Sequence, residues 1–190
     1  MLKPLISALA IVAALPAAAA TYVGTSNVGT ASATFSITTD DTIGVIGADN
    51  ILDWTVTLTT ANASTILYGP AGGDTSRIEV FGSALSATAT DLTFDFSAAG
   101  TNYLLFQARD LTDRSLYCAQ TGGCFDQSRS EVVSIGATFT DFDRVPRTGV
   151  VTLASVAPVP EPASWALLIG GLGATGGALR SRRKVSVRFA

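Results

Sequence analysis

Two cysteines and a set of clustered carboxylates are the side chains of this 190-residue chain whose types and spacing could do chemistry. Cys118 and Cys124 are separated by Ala119-Gln120-Thr121-Gly122-Gly123. The spacing is not Cys-x-x-Cys and no βαβ pattern surrounds it, so a redox pair is disfavoured. A zinc site would need two further thiol or imidazole ligands, and the chain has two cysteines and no histidine. In an exported chain the pair reads as a disulfide whose glycines let the backbone turn back. Closing so short a loop stabilises by about 2 kcal/mol in the loop-entropy model. The expectation is a local staple on a hairpin tip or surface loop.

The carboxylates close enough in sequence to share a cation are Asp40 with Asp41, Asp110 with Asp113, and Asp141 with Asp143. Calcium takes such oxygen ligands, but none of these pairs sits in an Asp-x-Asp-x-Asp-Gly loop with a terminal Glu. Two carboxylates could also act as acid and base in glycoside hydrolysis. Sequence gives no separation across a cleft, so no catalytic residue, metal ligand or cofactor is assigned. The absence of histidine removes the usual general base near neutral pH. Between Thr21 and Val159 six basic residues face fourteen acidic ones, a formal charge of −8. That balance repels phosphate backbones and argues against nucleic acid as a partner.

The elements that must hold these groups are strands. From residue 21 to 156 the chain is rich in Thr, Ser, Val, Ile and Phe, with turn residues every eight to twelve positions. Alternation predicts strands at Ala33–Thr38, Ile51–Thr59 and Leu92–Phe96, and a more continuous apolar run predicts a central strand at Asn102–Arg109. Glu131–Ile135, Ala137–Phe142 and Val150–Leu153 complete the set. Gly69-Pro70, Gly72-Gly73, Ala99-Gly100 and Thr148-Gly149 supply turns. About eight to ten strands imply an all-β domain, an antiparallel β-sandwich or jelly roll. Phe35, Trp54, Phe81, Phe94, Phe96, Phe106, Phe139 and Phe142 are its expected core. An alternative for Trp54 and Tyr103 is a surface platform for stacking sugars. Asn62-Ala63-Ser64 fits a glycosylation sequon, a weak signal by itself.

Both ends read as targeting segments. Lys3 precedes an apolar run from Leu5 to Leu15, Pro16 breaks it, and Ala18-Ala19-Ala20 has the small-residue pattern of a signal-peptidase site. Residues 1–20 are therefore an expected signal-peptide helix, with Ala18 and Ala20 at the cleavage site. At the other end Pro158, Pro160 and Pro162 make residues 157–162 an extended spacer. No charge follows Glu161 until Arg180, and the eighteen residues Pro162 to Leu179 reach roughly 27 Å as a helix, barely a hydrocarbon core. A transmembrane helix is expected at about residues 163–179. Trp165 stands at its outer interface, and Arg180, Arg182, Arg183 and Lys184 hold the tail, residues 180–190, in the cytoplasm. Gly170, Gly171, Gly173, Gly176 and Gly177 weaken the helix but allow close approach of another one.

Val159-Pro160-Glu161-Pro162-Ala163-Ser164-Trp165-Ala166, the glycine-rich span and the basic cluster together resemble the PEP-CTERM sorting domain in its Pro-Glu-Pro-x-x-Trp-Ala variety. The resemblance covers residues 160–184, and Val185–Ala190 run on past the basic cluster. It implies a substrate of exosortase, a multi-spanning membrane protease, with Pro160, Glu161, Pro162, Trp165 and Ala166 as the recognition motif. Pro162 to Leu179 would be the anchor, and Arg180, Arg182, Arg183 and Lys184 the stop signal. It further implies the secretion machinery as a partner, a transient stay in the inner membrane, and release to the cell surface or an exopolysaccharide matrix. The leading expectation is a non-enzymatic surface or matrix protein associated with biofilm polysaccharide. A carbohydrate-binding or calcium-dependent adhesion module is the alternative, and a secreted glycan hydrolase stands third.

Overall fold

The computed structural model describes residues 19–110, 112–124, 126–138, 142–157, 169 and 172. Met1–Ala157 form one compact unit and Pro158–Ala190 another. The expected leader, Phe139, Asp141, the sorting motif, the membrane span at about 163–179 and the basic cluster lie outside the described residues, apart from Ala19, Ala20, Ile169 and Leu172. Among the described residues no helix is long and apolar enough to cross a membrane.

Thirteen strands run through the described residues: β1 Ala20–Val28, β2 Ala31–Thr39, β3 Gly44–Val45, β4 Ile51–Thr59, β5 Ser64–Tyr68, β6 Ser76–Phe81, β7 Leu85–Ala87, β8 Asp91–Asp95, β9 Tyr103–Ala108, β10 Leu116–Gln120, β11 Ser130–Ser134, β12 Phe142–Pro146 and β13 Val150–Val156. Sheet A has the order β3-β7-β8-β13-β1-β2-β4-β5 and sheet B the order β12-β11-β10-β9-β6. Every pairing is antiparallel. One core lies between the sheets, so the expected all-β antiparallel architecture holds.

Local chemistry sets the register. Val28 pairs with Ala31 across the two-residue loop Gly29-Thr30, and Gly29 sits at φ +64°, the left-handed position that such a hairpin asks of its first turn residue. In β2 alternate residues Ala31, Ala33, Phe35, Ile37 and Thr39 are buried, while Ser32, Thr34, Ser36 and Thr38 face outward. Most of their partners on β1 and β4 are also hydroxyls, namely Thr21, Thr25, Thr55, Thr57 and Thr59. Thr21 lies 3.0 Å from Thr38 and Thr25 lies 3.1 Å from Thr34, oxygen to oxygen. The outer face of β1, β2 and β4 is therefore mostly hydroxyl, with Asp53 as its one carboxylate.

Phe35, Trp54, Phe94, Phe96 and Phe106 are in the core as expected, joined by Tyr22 and Tyr117. The Phe35 ring meets Tyr117 edge-on at 4.8 Å between centroids, tying sheet A to sheet B. Two expected core rings are not there. Phe81 is 54% exposed and Phe142 41% exposed, because the outward positions of edge strands β6 and β12 hold them. The strand expected at Ala137–Phe142 is also displaced: residues 137 and 138 are not strand and β12 begins at Phe142. Pro146 at the end of β12 suits an edge strand, where a missing ladder donor costs nothing.

Candidate functional site

Strand β13 carries the chain out of the domain, and it pairs with β1, the strand that carries it in. Tyr22 is opposite Val156, and the Ala157 N–H donates to the Thr21 carbonyl at 3.0 Å. The Val156 N–H donates to the Thr90 carbonyl at 2.7 Å on the other side. Entry and exit thus share one end of one strand pair in the middle of sheet A. Gly24 permits the close approach: a Cβ there would come within 2.3 Å of the Leu153 carbonyl oxygen and 2.7 Å of Ala154 Cα. Ala20, at the expected cleavage site, is the first residue of β1 and pairs with Thr39.

Cys118 and Cys124 form a disulfide. One end is Cys124 in the loop of the β10–β11 hairpin, and the other is Cys118, fully buried in β10, a strand with neighbours on both sides. The bridge folds the β10–β11 connection back over the outer face of sheet B. There Leu105, Leu116, Cys118 and Val132 make a second small core, with Tyr103 and Cys124 packed on it. Polar ties hold the same loop. Gln120 accepts from the Cys124 N–H at 3.2 Å and donates to Asp126 at 2.9 Å, while Arg144 on β12 pairs with Asp126 and donates to Ser128 at 2.6 Å. The Arg144 guanidinium, helped by Ser128, holds the Asp126 carboxyl down at about 2.

Of the carboxylates singled out in the sequence, Asp141 lies outside the described residues, and Asp40, Asp110, Asp113 and Asp143 accept hydrogen bonds from turns. Asp40 accepts from the Thr42 N–H at 3.0 Å and from Asn50 at 3.0 Å, contacts that hold its pKa below the ordinary range, the Asn50 bond most. Asp110 accepts from the Thr112 N–H at 2.8 Å and Asp113 from the Ser115 N–H at 2.9 Å, each closing a turn of the single loop between β9 and β10. Asp143 accepts from the N–H and hydroxyl of Thr30, closing the β1–β2 turn. Among the described residues no group of three or more His, Cys, Asp or Glu could hold a metal ion.

Of the two rings weighed as sugar platforms, Trp54 is removed by its burial. It is 5% exposed and its indole N–H donates to Ser76 Oγ at 2.8 Å. Tyr103 stands on the outer face of sheet B, stacked on Phe81 with ring centroids 5.6 Å apart and planes 15° apart. The two residues are cross-strand partners on β9 and β6. The disulfide loop closes on this ring as well, since a Cβ on Gly123, which sits at φ +116°, would come within 3.0 Å of it. Two pairs further along the same face, Arg77 and Gln107 are opposite each other, and the Arg77 Nη2 donates to Gln107 Oε1 at 2.5 Å. They line a pocket of about 760 Å³ with Ala108, Arg109, Asp110, Asp113 and Arg114.

One group that the sequence reading missed is Glu131. It is fully buried on the inner face of sheet B. It accepts from Tyr117 Oη at 2.6 Å, from Ser26 Oγ of sheet A at 2.9 Å, and from Arg147 at 2.5 Å. Burial, then the adjacent carboxylate, raises the Tyr117 phenol well above its ordinary pKa, so it stays protonated and donates. No sequence signal points to this cluster, because its members lie on four separate segments.

Residues 158–184 match a family model described as the PEP-CTERM protein-sorting motif. The chain matches no curated protein and no solved structure.

Proposed function

We propose that this chain, a carrier of the PEP-CTERM sorting motif, is an exported protein that exosortase processes and releases to the cell surface or extracellular matrix, where its β-sandwich acts without catalysing a reaction. The observation that carries the reading is the motif itself at residues 158–184, immediately after Ala157. The motif supports export, membrane-anchored processing and exosortase as the processing partner. The disulfide in the preceding domain fits an oxidising compartment outside the cytosol.

The resemblance of the motif to polysaccharide-associated sorting tags supports association with exopolysaccharide and biofilm. The domain adds an argument against a hydrolase: Asp40, Asp110, Asp113 and Asp143 each accept hydrogen bonds from turn residues, and Glu131 is buried against Arg147. Calcium-dependent adhesion is disfavoured for the same reason. A carbohydrate-binding module is favoured over it by one specific feature, the exposed Phe81–Tyr103 stack.

Replacing Pro160, Glu161 and Pro162 by alanine tests the sorting reading. Full-length chain, its leader removed, should accumulate in the inner membrane, and the surface or matrix fraction should lose the protein at least tenfold by immunoblot. Undiminished surface delivery of that variant would contradict the proposal.

A further inference from the structure

The outer face of the β6–β9 strand pair combines two kinds of contact at a fixed spacing. At one end Phe81 and Tyr103 stack in register, with Phe81 on an edge strand and more than half exposed. Single exposed apolar side chains are ordinary on protein surfaces. This one is held in place by Tyr103, and Tyr103 by the disulfide loop at Gly123. At the other end, four residues along β6 and so about 13 Å away, the Arg77–Gln107 pair opens into the pocket. Aromatic faces take the C–H faces of sugar rings, and planar side chains such as Arg, Gln and Asp suit pairs of sugar hydroxyls.

Charge decides which sugars. Arg77, Arg109 and Arg114 suggest an anionic ligand at first sight. Arg77 is paired with Glu79 at 3.4 Å and Arg109 with Asp74 at 2.8 Å, and Asp110 and Asp113 line the same pocket. Three guanidinium groups therefore face four carboxylates, a local formal charge of −1 on a domain at −8. A uronate or sulfate would meet guanidiniums already engaged and a repelling field. An uncharged hydroxylated chain would find hydrogen-bonding groups held in position.

We propose that the face running from the Phe81–Tyr103 stack to the Arg77–Gln107 pocket binds an uncharged polysaccharide. The inference rests on the reading that the displayed domain meets extracellular polysaccharide, and it names the site and the class of glycan. Little of the affinity comes from net charge, so binding changes little with salt.

The test uses the full chain in detergent micelles, applied to immobilised neutral glycans (β-glucan, xylan, mannan) and acidic ones (polygalacturonate, alginate, hyaluronate). Retention on at least one neutral glycan, little altered between low and high salt, and none on the acidic set is expected. Phe81→Ala should weaken that retention by up to about tenfold, from the loss of one aromatic contact. Tyr103→Leu should do the same, and Ile66→Ala, an exposed apolar residue on the edge of sheet A, should leave it unchanged. Circular dichroism of each variant separates lost binding from lost fold. No retention on any neutral glycan, retention confined to acidic glycans, or a folded Phe81→Ala variant that binds like the parent would overturn the site. Sorting is read separately from the mass of the exported product, so failure here with correct processing removes the binding site alone.

Discussion

Glu131 couples the two sheets through a hydrogen bond from Ser26. A buried carboxylate is costly unless its charge is paired and its lone pairs are used, and here Arg147, Ser26 and Tyr117 meet both needs. The pairing also reaches the end of β1, because Arg147 donates to the Asn27 carbonyl at 2.8 Å. Glu131→Gln removes the charge while keeping the shape, leaving Arg147 with water on one side only. The expected loss is about 2 kcal/mol in denaturant unfolding, moderate for a buried ion pair because the Arg147 side chain is 27% exposed. An unchanged midpoint would mean that the cluster contributes nothing net. Glu131 could not be read from sequence, since Ser26 lies 105 positions away and alternation marks a charged residue on a strand as outward-facing. The aromatic rings are a different case: Phe81 is in phase with Arg77 and Glu79 along β6, whereas Phe94 is in phase with Leu92 and Phe96, so alternation separates the outward ring from the core ring once the strand at 76–81 is recognised.

At the scale of elements, the pairing of β1 with β13 matters most, because β13 leads directly to the sorting segment. Gly24 is required there by the backbone of Leu153 and Ala154, which cannot move aside as a side-chain tip would. Gly24→Val is expected to cost about 2 kcal/mol or more, by analogy with overpacked cores. Hydrogen exchange should show the loss concentrated in residues 20–28 and 150–157. Uniform exchange across both sheets would contradict a local cause. Strands β2, β4 and β8 were legible because one face is buried and the other wet, giving clean alternation. Strand β10 was not. All five of its residues are buried, one side under the core and the other under the disulfide loop, so no period-two signal survives. The disulfide itself was legible from two residues and their compartment. Its position under a folded-back loop was not, because spacing alone does not say whether a cysteine lies in a strand or after one. Strand β1 follows an alanine-rich segment that draws attention to cleavage and away from the Thr-Tyr-Val-Gly-Thr pattern that folds.

For the whole molecule, the domain is polarised. All six of its arginines lie on sheet B or in the loops beside it, while sheet A presents Thr and Ser hydroxyls with few charges. Its two ends leave from one strand pair, β1 with β13, in the middle of sheet A. The proposed route requires that the chain be cut at both ends outside the cytosol. Intact-mass measurement of the protein recovered from producing cells tests this most directly. The predicted species begins at Thr21, has Cys118 and Cys124 oxidised, and lacks the C-terminal segment from near Pro162 onward. A cytosolic species spanning Met1 to Ala190 with both thiols free would contradict it.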